Sequence, residues 1–218
     1  MTRAANQLPS VPGLSGSISR ARVRQFMRAA GHDATRALAL HDWNEQVGAA
    51  FYRPLQKAEL ALRVRVNDAF TAVYGHRWFQ DPSFTRRSTH ADRKSIAEAV
   101  SRLMKDGLAI DAEAMMAKSS FGLCVGLLRP VFNPDVWSTQ LRVVFPHLPA
   151  DQGRHELAQL GSQAAALRNR IDHHEPLVDL DLSLQHAKVM KLLAWIDPAL
   201  AAKAQADHTV PLLLRAKP

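Results

Sequence analysis

The stretch LRNRIDHHEPL, residues 167–177, gathers side chains whose chemistry suits cleavage of a phosphodiester. It places Arg168, Asn169, His173 and His174 within seven positions, in a chain otherwise rich in alanine and leucine. An imidazole with an unperturbed pKa of about 6.5 can accept and donate protons near neutral pH. A guanidinium can hold two phosphate oxygens and stabilise the charge that grows on a pentacoordinate phosphorus. Because RNA carries its own nucleophile, the 2′-hydroxyl, such a site requires neither a metal nor a cysteine.

A predicted helix leads into this motif and must position its side chains. On a regular helix Asn169 and His173 project from nearly the same side, whereas Arg168 lies about 140° from His173. Pro176 disfavours helical geometry at Glu175, so the helix end can loosen and let the long arginine converge with the imidazole. Asn169 would then orient either the phosphate or the imidazole. The apolar stripe of the helix comprises Leu157, Leu160, Ala164, Leu167 and Ile171.

The same residues also have a purely structural interpretation. Arginine, asparagine and histidine near a helix C-terminus can bond the last carbonyl oxygens and offset the helix dipole. Spacing alone favours this interpretation, because short motifs arise often by chance. Metal binding is not predicted, since four histidines near the motif lack the i+4 pairing and the carboxylate partner of a zinc helix. These histidines are His155, His173, His174 and His186.

Composition narrows the class of protein. Of the 218 residues 47% are hydrophobic and only 6% aromatic, a balance that favours helices over sheet. Lysine and arginine outnumber aspartate and glutamate by 28 to 20, so the net charge of +8 indicates polyanions such as RNA, DNA or an anionic membrane surface as partners. The sole cysteine, Cys124, excludes a disulfide within the chain, and its apolar context predicts a buried, inert thiol.

No segment is predicted to enter a membrane. The N-terminal residues 1–17 lack an apolar signal-peptide core and are rich in proline, serine and glycine, so we expect them to be flexible. The longest apolar run, residues 121–128, is too short to span a bilayer. We therefore expect a soluble, cytoplasmic protein that uses no cofactor.

Apolar periodicity and capping signals predict an all-α fold, with residues 18–218 forming one domain. Residues 76–88 are predicted as a loop. Helices are predicted over SRARVRQFMRAAG, from Asp33 to Tyr52, from Pro54 to Tyr74, from Ser88 or Thr89 to Asp106, around DAEAMMAK and FGLCVGLL, from Asn133, from about Ala150 into the motif, and from Leu182 to Ala206 with an interruption at Pro198.

Two further groups of charged residues admit more than one interpretation. Glu59 and Arg63 stand at i+4 spacing along one edge of an apolar stripe, which favours a salt bridge over projection into a site. Arg86 and Arg87 follow Trp78 and Phe84, a combination that could offer RNA a stacking and phosphate-binding surface. Packing in the core is the favoured interpretation of the two aromatic rings.

The motif resembles that of the Abi-like (abortive infection) proteins of bacteria, which belong to the HEPN superfamily of all-helical domains. The HEPN signature is an arginine and a histidine with four to six residues between them, and the arginine is often followed by a polar residue. Arg168 and His173 fit it with four residues between them, and His174 with five. The Abi-like form, RN, three residues, HHEP and an aliphatic residue, is similar to LRNRIDHHEPL. The segments ALALHDWNEQVGAAFY, YRPLQKAELALRVRVND and SSFGLCVGLLRPVFNPDVW resemble further family segments, so the likeness covers roughly residues 20–180 in collinear order.

The chain departs from the family pattern in two places. Val64 stands where the family commonly has asparagine, which weakens any catalytic role for the Glu59 and Arg63 helix. A tryptophan that usually follows Ser-Phe-Gly is replaced near Cys124, which concerns packing. The Arg-Asn-His core of the motif is intact.

The resemblance implies a HEPN-like helical bundle with additional helices, homodimerisation with the motifs of two protomers facing one cleft, and metal-independent cleavage of RNA. Arg168 and His173 would be the catalytic pair, with Asn169 and His174 assisting and Glu59 and Arg63 as accessory residues. Phage defence or toxin-like growth arrest is the implied setting, with an antitoxin or regulatory protein as a possible partner. The alternative is a non-catalytic HEPN module that binds RNA or protein.

Overall fold

The computed structural model describes residues 19–207 and 209–218, and within these residues every regular element is helical, which confirms the all-α class. The flexible segment predicted for residues 1–17 lies outside the described part. The α-helices are α1 (Arg20–Ala29), α2 (Ala34–Tyr74), α3 (Pro82–Arg87), α4 (His90–Lys105), α5 (Ala112–Lys118), α6 (Phe121–Gly126), α7 (Ser138–Val144), α8 (Arg154–Asp172), α9 (Leu182–Ile196), α10 (Pro198–Asp207) and α11 (Val210–Arg215). Shorter helical turns are Trp78–Gln80, Pro130–Phe132 and Asn133–Trp137.

The two helices predicted on either side of Pro54 are in fact one helix, α2, of 41 residues. A proline inside a helix costs about 3 kcal/mol, because it removes one N–H and crowds the preceding turn. Phe51, Leu55 and Ala58 are buried around Pro54. Full burial of a Phe or Leu side chain contributes roughly 1.5–3 kcal/mol, so packing on both sides of the proline outweighs its cost.

Residues 76–88 are also more ordered than the predicted loop. Asp81 accepts hydrogen bonds from the backbone N–H groups of Ser83 at 2.7 Å and Phe84 at 3.3 Å, and Pro82 occupies the first helical position of α3. The next helix, α4, begins after Thr89, whose side chain forms a capping box with Asp92. The predicted interruption at Pro198 is confirmed, since α9 and α10 are separate helices there.

The described chain divides into two compact units. Within the described residues, the first unit, here called the motif unit, comprises 19–53, 167–186 and 209–218, and the second, the aromatic unit, comprises 54–166 and 187–207. The single domain predicted for residues 18–218 stays a prediction beside this division. Among the described residues no helix has both the length and the apolar character needed to cross a bilayer.

The aromatic unit is built around Phe70. Rings of five other residues lie 5.1–6.1 Å from the Phe70 ring, mostly edge to face, an arrangement that aromatic pairs prefer. The indole N–H groups of Trp78 and Trp137 donate to Asn67 Oδ1 at 3.0 Å and to the Leu127 carbonyl at 2.9 Å. The surrounding rings are Tyr74, Trp78, Phe84, Phe132 and Trp137.

The motif unit packs α1, the first part of α2 and α11 against the chain that follows α8. Phe26 of α1 and Trp43 of α2 are buried, and the Trp43 indole donates to the Leu213 carbonyl at 2.7 Å. The Lys217 ammonium lies 5.1 Å from the centroid of the Trp43 ring and donates to the Val178 carbonyl at 3.1 Å. These contacts join α2, the C-terminal residues and Val178 in the chain that follows α8.

Candidate functional site

The motif forms the C-terminal end of α8 and the turn that follows it. His174 adopts the left-handed conformation, with φ at 52°, and its N–H donates to the Ile171 carbonyl at 2.9 Å. The Glu175 N–H donates to the Arg170 carbonyl at 2.9 Å. This pair of hydrogen bonds is a Schellman motif, which satisfies the last carbonyl oxygens of a helix. Backbone N–H groups therefore satisfy the Ile171 and Arg170 carbonyl oxygens, and the interpretation that the Arg, Asn and His side chains cap the helix stays a prediction.

Side chains from elsewhere in the motif unit hold this turn. Arg22 of α1 donates from Nη2 to the His173 carbonyl at 2.7 Å. Asn44 of α2 accepts the Leu177 N–H at 2.6 Å, and Arg170 Nε donates to the Pro176 carbonyl at 2.8 Å. The contacts that anchor the turn thus come from side chains outside the predicted catalytic group.

The Arg168 guanidinium reaches toward the Asn169 side of the helix. Its Nη1 lies 2.7 Å from Asp172 Oδ2, an i,i+4 ion pair, and 3.4 Å from Asn169 Oδ1. Asn169 and His173 are exposed, and the His173 N–H still donates to the Asn169 carbonyl at 2.9 Å, so His173 continues the helix one turn beyond Asn169.

His174 differs from the other three predicted residues because it lines a cleft. This cleft, of about 610 Å³, lies entirely within the motif unit, between α1, α2 and the turn after α8. Its apolar lining includes Phe26, Gly48 and Leu177. Charged and polar residues also line it, namely Arg22, His41, Asn44, Glu45, Tyr52, Asp172, His174 and Glu175.

One group in the motif unit has the composition of a metal site. Ligand atoms of His41, Asp42 and Glu45 lie within 4.8 Å of one another, and both carboxylates are exposed. The two ring nitrogens face different carboxylates, with Nδ1 3.5 Å from Asp42 and Nε2 3.9 Å from Glu45. These contacts between neighbouring side chains lie on the surface of α2. The expectation of no metal site stays a prediction.

Glu59 and Arg63 lie in the aromatic unit and form the ion pair that their spacing predicts. Both side chains are nearly buried, and Arg63 Nη1 also donates to the carbonyl oxygens of Met116 at 2.6 Å and Ala117 at 3.2 Å. Arg63 therefore clamps the C-terminal end of α5 to α2. The salt-bridge interpretation is confirmed, and the accessory catalytic role stays a prediction.

Arg86 and Arg87 also lie in the aromatic unit. Arg87 Nη2 lies 2.9 Å from Asp135, which in addition accepts the Tyr74 hydroxyl at 2.9 Å. Burial, and then the hydrogen bond to Asp135, raise the pKa of Tyr74 to about 12. Arg86 is exposed and donates to Ser83 Oγ at 3.1 Å. A phosphate-binding role for the two arginines stays a prediction.

The rings of Trp78 and Phe84, which could have stacked on RNA bases, and the thiol of Cys124, which could have been a nucleophile, lie in the core. Trp78 and Phe84 are fully buried, which confirms their packing role and leaves neither ring open for base stacking. Cys124 is buried as well, and burial raises the pKa of its thiol far above the ordinary value. A thiolate nucleophile at Cys124 is therefore disfavoured, as the apolar sequence around it predicts.

Two residues that shape the site escaped prediction from the sequence. Asn44 lies in the aromatic-Asn segment that carries part of the family resemblance, so a signal existed, but its contact with Leu177 was not foreseen. Arg22 lies 151 positions from His173 and had no local signal for that contact. No family model, curated protein or solved structure matches this chain. The Abi-like and HEPN assignment thus remains an expectation that rests on the motif and its collinear segments.

Proposed function

We propose that this protein is a metal-independent endoribonuclease in which Arg168 and His173 act on one phosphodiester of RNA. The observation that carries the proposal is the position of the Arg168 guanidinium, 3.4 Å from the Oδ1 atom of Asn169, the residue that precedes the exposed His173 by one helical turn. The turn around them is anchored by Arg22 and Asn44, two side chains outside the candidate pair. The resemblance to HEPN ribonucleases supports the same pair.

The chemistry follows from the protonation and charge of the two groups. The His173 imidazole takes the proton of the 2′-hydroxyl, and the 2′-oxygen attacks the adjacent phosphorus. Arg168 binds the non-bridging oxygens and stabilises their charge in the pentacoordinate state. The 5′-oxygen leaves and gains a proton, which yields a 2′,3′-cyclic phosphate and a 5′-hydroxyl. Asn169 and His174 assist by orienting the phosphate and the imidazole.

A second copy of the chain would complete this site. The resemblance implies a homodimer in which His173 of one protomer works with Arg168 of the other, and this arrangement would bring two imidazoles to one cleft. One could then act as general base and the other as general acid. The proposed setting is phage defence or toxin-like growth arrest in the cytoplasm, under the control of an antitoxin or another regulatory protein.

One observation favours a second candidate, a non-catalytic module that binds RNA or protein. The 2.7 Å ion pair with Asp172 neutralises Arg168, so an RNA phosphate must compete with that carboxylate for the guanidinium. If the competition fails, the basic surface of the protein would bind RNA without cleaving it.

Incubation of the purified protein with structured RNA in EDTA separates the two functions. We expect cleavage by the wild type, and a loss of about 10²-fold or more in both Arg168→Ala and His173→Ala. His155→Ala, which removes another exposed histidine of α8, is the matched control and should keep full activity. Circular dichroism and thermal unfolding should show that all three variants are folded. RNA binding without cleavage, unchanged in His173→Ala, would leave the binding module; cleavage that EDTA abolishes would contradict both candidates.

A further inference from the structure

One face of α2 forms a wall of the cleft beside the motif turn. His41, Glu45, Gly48 and Tyr52 follow one another at spacings of four, three and four, so they lie on the same side of the helix, and all four line the cleft. The opposite wall includes Asp172, His174 and Glu175 of the motif. The cleft therefore adjoins the residues proposed to cleave RNA.

The floor of the cleft around Gly48 is apolar, because Ile171 and Leu177 line it. Gly48 contributes no side chain there, and a Cβ atom at that position would lie 3.8 Å from both Ile171 Cγ2 and Leu177 Cδ1, in ordinary contact. Tyr52 lines the cleft and is 48% exposed, so its ring is accessible to a ligand. Unpaired RNA bases bind proteins by stacking on such aromatic side chains.

The polar lining selects among bases. Glu45 and Glu175 are carboxylates, which accept hydrogen bonds and donate none when ionised. Guanine presents two adjacent donors, N1–H and the N2 amino group, which match the two oxygens of one carboxylate. Adenine and cytosine pair one amino group with an acceptor nitrogen, and uracil places its single donor between two carbonyl oxygens. A carboxylate that meets the Watson–Crick edge of an unpaired base in this cleft therefore favours guanine over the other three bases.

The cleft is linked to the proposed phosphate clamp through Asp172. This residue lines the cleft, and its Oδ2 holds Arg168 Nη1 at 2.7 Å. We propose that the cleft binds a guanine base next to the scissile phosphate, with Tyr52 stacking on the ring and Glu45 accepting its two N–H donors. Guanosine beside the cleavage point is then the sequence preference of the enzyme. This inference rests on the proposed ribonuclease function.

The four ribonucleoside 3′-monophosphates test the inference directly, because the enzyme cannot cleave them. In titration calorimetry with EDTA present, we expect 3′-GMP to bind about tenfold more tightly than 3′-AMP, 3′-CMP or 3′-UMP. Glu45→Gln should remove that preference, and Tyr52→Ala should weaken all four nucleotides, whereas Tyr52→Phe keeps the ring and the affinity. Asp42→Asn is the matched control, since Asp42 contacts the same His41 ring but is not part of the cleft lining.

The outcomes distinguish this inference from the proposed function. Equal affinity for the four nucleotides, or an equal loss in Asp42→Asn and Glu45→Gln, would overturn the guanine site. A preference for 3′-GMP that appears only with an added divalent cation would also overturn it and would assign the His41 group to metal. Selective binding of 3′-GMP by a protein that cleaves no RNA would leave the guanine site in place and overturn only the ribonuclease. Cleavage of RNA without a guanosine preference would overturn the guanine site and leave the proposed ribonuclease in place.

Discussion

Two arginine–carboxylate pairs at i,i+4 spacing serve different ends in this protein. Glu59 and Arg63 in the aromatic unit are 12% and 11% exposed, and Arg63 also clamps two carbonyl oxygens of α5. Arg168 and Asp172 at the end of α8 are 34% and 31% exposed, and the further contact of Arg168 Nη1 is with Asn169. Identical spacing therefore gives a nearly buried structural clamp in one unit and an accessible charged group in the other.

Burial decides which of the two pairs can serve chemistry. A buried pair holds its geometry because losing one partner leaves a charge without compensation, so its guanidinium is committed to the fold. An exposed pair contributes little to stability, and a ligand phosphate can replace its carboxylate. The comparison thus assigns a structural role to Arg63, and the greater exposure of Arg168 is in line with the proposal that it binds an RNA phosphate.

Arg63→Ala should have the largest effect on stability. It leaves the Glu59 carboxylate nearly buried without its arginine and removes the clamp on Met116, so we expect a loss of about 3 kcal/mol in the free energy of unfolding. Urea unfolding measures the change. The double variant Glu59→Gln with Arg63→Met should lose less free energy of unfolding than the sum of the losses in Glu59→Gln and Arg63→Met alone. Additive losses would show that the pair does not act as a unit.

Asn44→Ala tests whether residues outside the predicted catalytic group hold the motif turn. It leaves the part-buried Leu177 N–H without its acceptor, so we expect a loss of about 1–3 kcal/mol in the free energy of unfolding. Asn44→Asp keeps an acceptor oxygen at the same place and is the matched control. A loss below about 0.5 kcal/mol in Asn44→Ala would mean that the turn is held by its own backbone.

Much of the fold follows from local sequence, and the exception at Pro54 has a tertiary cause. Alanine and leucine stripes predict the helices, Thr89 predicts the start of α4, and Pro198 predicts the break between α9 and α10. Pro54 misled the prediction because a local helix-stop signal was overridden by burial of Phe51 and Leu55. A pattern of residues that are neighbours in the sequence carries no information about tertiary packing.

The candidate site also combines features that local sequence predicts with features that depend on tertiary packing. Type and spacing predict Arg168, Asn169 and His173 as site residues, which stays a prediction, and i+4 spacing predicts the Glu59–Arg63 ion pair, which is confirmed. The contact of Arg22 with His173 joins residues 151 positions apart, so no local pattern reports it. The cleft requires the turn after α8 to pack on α2, and sequence alone does not place the two walls together.

Gly48→Ala should stabilise the protein while it narrows the cleft. Glycine inside a helix costs roughly 0.5–1 kcal/mol relative to alanine, and the added methyl group would meet Ile171 and Leu177 in ordinary contact. We expect a gain of about 0.5–1 kcal/mol in the free energy of unfolding, together with weaker binding of 3′-GMP. Destabilisation by the same change would show that the cleft floor has no room for a methyl group.

Arg168→Ala should have the smallest effect on stability, in contrast to its effect on RNA cleavage. An exposed i,i+4 ion pair contributes about 0.3–0.5 kcal/mol, so the thermal midpoint should stay close to that of the wild type. A loss as large as that of Arg63→Ala would remove the distinction between the two pairs and return Arg168 to a structural role.

The ends of the RNA fragments provide the most direct test of the central claim that Arg168 and His173 cleave RNA without a metal. Wild-type protein incubated with RNA in EDTA should release fragments that carry a 2′,3′-cyclic phosphate and a 5′-hydroxyl. A substrate with a 2′-deoxyribose at the cleavage position should stay intact. Fragments with a 3′-hydroxyl and a 5′-phosphate, or no fragments at all from folded protein, would contradict the account.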